Sequence, residues 1–170
     1  MFSLEGRAWW ILRSAPVALT RIWWSKFAIG YVPLLLLGLI LVAATNFFLD
    51  VGHGLTLLFA LTLIPLIAAI VSLGLAFGAA YPRLDTQNAA QIATGFGAIV
   101  YMVLSLGLIG VVCLLEAWPV TRMFWAAGRN HPLDATEMGW VALCLAATLV
   151  LLLVVFESAR RVALRRLPHI

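Results

Sequence analysis

Four long apolar runs constrain this chain more than any other feature. They extend from Phe27 to Leu49, from Leu55 to Ala80, from Gly97 to Leu115 and from Met138 to Phe156, and none contains a charged residue. An α-helix rises about 1.5 Å per residue, so roughly 20 residues cross a hydrocarbon core about 30 Å thick. Each run meets or approaches that length. Asp50 closes the first, Glu116, Trp118 and Pro119 close the third, and Glu157 closes the fourth.

Composition agrees with the runs. Of the 170 residues, 64% are hydrophobic and 11% charged, against about 45–50% and about 25% in ordinary globular domains. So few charges cannot cover a soluble fold, and disorder needs the opposite balance. The two cysteines, Cys113 and Cys144, lie inside apolar runs, which excludes a disulfide-rich scaffold. The expected fold is therefore an all-α integral membrane protein. Its four transmembrane helices (27–49, 55–80, 97–115 and 138–156 within a 27–156 domain) follow an interfacial amphipathic helical segment at 1–26 and precede a basic tail at 157–170.

Arginine and lysine positions set the expected orientation. Arg7, Arg13, Arg21 and Lys26 precede the first run, Arg83 follows the second, and Arg160, Arg161, Arg165 and Arg166 follow the fourth. Those nine residues fall on one side and only Arg122 and Arg129 on the other. Basic residues near span ends favour the cytosol, so both termini are expected there, in a multi-pass protein. The net charge of +4 thus belongs to the bilayer surface, not to nucleic acid. In the leading segment Leu4, Ala8, Ile11, Leu12 and Ala15 fall on one helical face, and Pro16 interrupts the pattern. The pairs Trp9–Trp10 and Trp23–Trp24 suit the headgroup zone. Glu157 stands three and four residues before Arg160 and Arg161, a spacing that pairs them on one helical face.

Few residues carry chemistry. No glycine-rich phosphate loop followed by Lys-Ser or Lys-Thr occurs, and Lys26 is the only lysine. The chain is therefore expected to be no enzyme and to bind no cofactor, with any ATP held by another chain or segment. Ser72 and Ser105 have no histidine at their depth. His53 and His131 are expected on the outer side, with Glu116, Asp134 and Glu137 in nearby loops, but no pair has metal-ligand spacing. Intramembrane charge is absent on this reading. Helix packing is assigned to Gly74 and Gly78, a small-xxx-small pair, and to Pro65, which interrupts the helical hydrogen-bond ladder. Asn46 is a candidate interhelical hydrogen-bonding group.

Two stretches resemble a known family. The first is Ser3-Leu4-Glu5-Gly6-Arg7 with Trp10-Ile11-Leu12-Arg13-Ser14-Ala15-Pro16 and Trp24-Ser25-Lys26-Phe27. The second is Tyr81-Pro82 with Asn88-Ala89-Ala90-Gln91-Ile92 and Gly95-Phe96-Gly97 ahead of Tyr101-Met102. Together they are similar to the membrane subunits of bacterial ABC exporters, the ABC-2-like permeases. The resemblance implies a longer permease of which this chain is the carboxyl-terminal part, in the bacterial inner membrane. It also implies an ATP-binding cassette subunit as partner and source of ATP use, and a missing permease portion or a second permease copy. Glu5, Arg7, Arg13, Asn88 and Gln91 are then the candidates for coupling to that ATPase. The alternative is a small structural or assembly protein that packs against larger membrane partners.

Overall fold

The computed structural model describes residues 18–49, 53–81, 95–129 and 134–166. Four helices account for nearly all of them: α1 (Leu19–Leu49), α2 (His53–Ala80), α3 (Phe96–Arg129) and α4 (Ala135–Arg166). No strand occurs among the described residues. All four helices are long and apolar enough to cross a membrane, as a multi-pass membrane protein requires. Their lengths of 28 to 34 residues correspond to about 42–51 Å, more than a hydrocarbon core needs.

The helices extend beyond the apolar runs because a helix ends where its backbone bonding ends, not where hydropathy falls. α1 begins at Leu19, ahead of Phe27, and α3 continues through Glu116, Trp118 and Pro119 to Arg129. Pro33, Pro65 and Pro119 all lie inside helices. Each lacks an N–H and so deprives one carbonyl of its donor, a loss that packed helices can tolerate. α4 has a side-chain cap. The Asp134 carboxylate accepts bonds from the Ala135 N–H at 2.8 Å and the Thr136 hydroxyl at 3.0 Å, which satisfies an otherwise open helix start.

Neighbouring helices in sequence run antiparallel, and α2 packs against all three others, most extensively against α4. Two apolar clusters hold the bundle. At the end where α1 starts and α4 finishes, Ile22, Trp23 and Phe27 meet Val71, Leu75, Ala76 and Ala79 of α2 and Ala159 and Ala163 of α4. Halfway along, Ala69 of α2 meets Leu108 and Val112 of α3 and Leu152 of α4. Alanine recurs on the α2 and α4 faces because small side chains let the helix axes approach. The outward faces are apolar as well, with Phe47, Leu106 and Leu114 among the most exposed side chains. An inside-out pattern of that kind is unfavourable in water and costs nothing in hydrocarbon.

Candidate functional site

The polar feature of greatest consequence lies between α2 and α3. Glu116 is 8% exposed and Thr62 4%, and the Glu116 carboxyl lies beside the Thr62 side chain. The Thr62 Oγ1 also lies 3.1 Å from the Leu58 carbonyl and 3.3 Å from that of Phe59, the usual acceptors for a helical threonine. The second carboxyl oxygen, Oε1, is buried and has no partner. The surroundings of the two residues are alike. Thr62 precedes Pro65 by three positions and Glu116 precedes Pro119 by three. Each proline removes the donor of the carbonyl four residues earlier, that of Leu61 or Leu115. Two helices with interrupted ladders therefore meet at a threonine and a carboxyl group.

This placement corrects the sequence reading. Glu116 does not close the third run into a loop, and the interior of the bundle holds a carboxyl group. It lies within α3, because neither glutamate nor a proline with helical neighbours ends a helix that is packed on both sides. Thr62 on α2 was the missing signal, and only the register of two distant helices reveals it.

Farther toward the α2 start, Arg122 of α3 bonds Glu137 of α4 at 3.1 Å and lies 5.6 Å from the Trp118 ring centre. Glu137 too is helical rather than in a loop. Beside this end, α1 and α2 enclose an apolar groove of about 290 Å³ lined by Gly38, Leu41, Asn46, Thr56, Phe59 and Leu63, among others. Asn46 makes no interhelical bond through its carbonyl oxygen, which is buried without a partner. At the opposite end Glu157 accepts from Arg160 and Arg161, each at 2.9 Å, as the spacing predicts. It is the only acid among the described residues at that end, against Arg21, Lys26, Arg160, Arg161, Arg165 and Arg166.

The remaining sequence candidates divide into two groups. Glu5, Arg7, Arg13, Asn88 and Gln91, together with His131, lie outside the described residues. Gly74 faces α3, where a Cβ on it would stand 3.4 Å from the Tyr101 ring. Gly78 lies one turn farther along α2, and Pro65 is interior to it. Ser72 and Ser105 donate to carbonyls of their own helices, at 2.8 and 3.0 Å, which leaves them no catalytic partner in view. Cys113 and Cys144 are free thiols. Trp23 departs from the headgroup role expected of it. It is fully buried, stacked on Phe27 at 5.2 Å, and its indole N–H has no partner, whereas Trp24 is exposed. Among the described residues no group of His, Cys, Asp or Glu could hold a metal ion.

By its fold and this buried carboxyl, the chain is a four-helix protein of membrane-spanning type with a carboxyl group inside its apolar bundle. The family described as "Putative ATP-binding cassette" (ABC_tran_2) matches residues 1–170, and the chain belongs to that family. No curated protein and no solved structure matches it.

That membership corrects two expectations. The family is described by ATP binding and not as a permease or ABC-2 membrane subunit, so the exporter-permease assignment does not stand, nor does the assembly-protein alternative gain by its loss. The expectation of a non-enzymatic chain lacking any ATP-binding motif is overturned by the same match. The resemblance rested on short stretches of small, aromatic and amide residues. Such stretches report an interfacial setting as much as a family, and the whole-chain match carries more positions. What stands is the connection to ATP-binding cassette systems.

Proposed function

We propose that this chain works in the membrane as part of an ATP-binding cassette system. A cassette subunit docks at the end of the bundle where α1 starts and α4 finishes. The whole-chain family match carries this reading, and four helices long enough to cross a bilayer support it. The basic residues gathered at that end, with Glu157 as their one described opponent, favour its placement at the cytosolic surface of a bacterial inner membrane. Helix ends on that side are what a cytosolic nucleotide-binding subunit would touch, and Glu5, Arg7, Arg13, Asn88 and Gln91 belong to segments expected on the same face.

The test is purification of the full chain in mild detergent, followed by nucleotide binding and hydrolysis measurements. Binding and hydrolysis that follow a co-purifying cassette subunit support the docking. Nucleotide bound by the chain with no second subunit would replace it with direct binding. A reporter fused after Ile170 should be active only in the cytosol. Activity outside would reverse the placement.

A further inference from the structure

The groove between α1 and α2 combines a shape and a polarity that together define an occupant. Its inner end is set at Gly38, where a Cβ would stand 2.9 Å from Leu63 Cδ2 and 3.2 Å from Ile67 Cδ1. The two helices are thus in tight contact at that level. From Gly38 the groove follows α1 to Asn46, eight residues on, or about 12 Å along the helix axis. Asn46 stands three residues before the end of α1, and Thr56 three residues after the start of α2. The mouth therefore lies near the edge of the hydrocarbon and the floor lies within it. Leu41 and Phe59 on the walls are exposed, which opens the groove sideways to lipid.

Apart from Asn46 and the threonines near the mouth, the lining is apolar. The volume of about 290 Å³ has room for roughly ten groups of methylene or water size, at about 30 Å³ each. That accommodates much of one lipid chain and not two. The polar demand is equally specific, because the Asn46 Oδ1 is buried and has no hydrogen-bond partner. A hydrocarbon tail alone would fill the groove and leave this acceptor unsatisfied, the costly outcome for a buried polar atom. Water fits poorly, since a buried water requires several polar partners. What satisfies both features is one chain with a hydrogen-bond donor at its head. A diacyl phospholipid lacks that donor at this depth, because both glycerol oxygens beside its chains are esterified. A monoacylglycerol keeps free hydroxyls next to its single ester.

We propose that the groove between α1 and α2 binds a single-chain lipid of the monoacylglycerol type. Its chain lies along Leu41 and Phe59 toward Gly38, and its head hydroxyl donates to Asn46 Oδ1. The site is at the far end of the bundle from the basic cluster, so it stands or falls separately from cassette docking.

The full chain in phosphatidylcholine nanodiscs provides the test, with a monoacylglycerol carrying a photoactivatable diazirine in its chain as the probe. Peptide mass spectra should place the label within residues 38–46 and 56–63. Unlabelled monooleoylglycerol should compete for it, and its dimethyl ether, which has the same chain and no donor, should compete about two- to tenfold less well, the value of one hydrogen bond. Asn46→Leu should weaken binding by a similar factor and abolish the preference for hydroxyl over ether. Val42→Phe, which fills the groove from the α1 wall, should remove the labelling. Label spread evenly over the outward faces of all four helices, equal competition by the ether, or a preference that survives Asn46→Leu would overturn the proposal. Should the variants fail to assemble, the map of labelled peptides and the ether competition on the unaltered chain decide alone.

Discussion

Gly74 permits a sharp test of how α2 and α3 meet. A Cβ placed on it would stand 3.4 Å from Cε2 of Tyr101, 3.5 Å from Cζ and 3.6 Å from the hydroxyl oxygen. Those are ordinary van der Waals separations, so the glycine is not required by a backbone-to-backbone approach. Alanine loses less backbone entropy than glycine in a helix interior, by about 0.8–1.0 kcal/mol. Contacts with the ring add about 0.1–0.2 kcal/mol for each atom pair. Gly74→Ala should therefore stabilise the bundle by about 1 kcal/mol. Gly74→Leu places branched carbons where the Tyr101 ring stands and should cost about 1–3 kcal/mol, the usual range for overpacking. The assay is unfolding of the full chain in mixed micelles by titration with dodecyl sulfate, followed by far-ultraviolet circular dichroism. The two variants should move the midpoint in opposite directions. If Gly74→Ala destabilises as Gly74→Leu does, α2 and α3 pack more closely than the Tyr101 contact indicates, and the reasoning fails.

Three further outcomes follow from the same packing. Trp23→Ala empties the centre of the aromatic cluster and should cost about 3–5 kcal/mol in that titration. Trp23→Phe keeps the stack on Phe27 and removes the unpartnered N–H, so its loss should be far smaller; equal losses would mean that the N–H is bonded. Leu152→Ala, at the meeting of α2, α3 and α4, should cost about 2–5 kcal/mol, and a negligible loss would show that the middle of the bundle is not close-packed. Glu157→Gln breaks both exposed ion pairs and should leave inserted abundance unchanged on quantitative immunoblots, since exposed pairs contribute little; a marked loss would assign them a structural role.

The four apolar runs, all-α character and the pairing of Glu157 with Arg160 and Arg161 were legible in the sequence. Each depends on neighbours along the chain: transfer of an apolar stretch to hydrocarbon, or one helical turn of separation. The same local logic misread Glu116, because hydropathy falls there while backbone bonding continues to Arg129. It also placed Trp23 at the headgroups, since an indole next to basic residues looks interfacial until Phe27 and Phe156 are seen to enclose it. Nor did any short motif identify the family, which emerged only from positions along the whole chain. Tertiary structure alone decided that α2 is the central helix, that Gly74 faces Tyr101 and that Glu116 meets Thr62. These contacts join residues 27 to 54 positions apart. Their register is set by how the small faces of four helices fit together, a non-local quantity that no window of sequence contains.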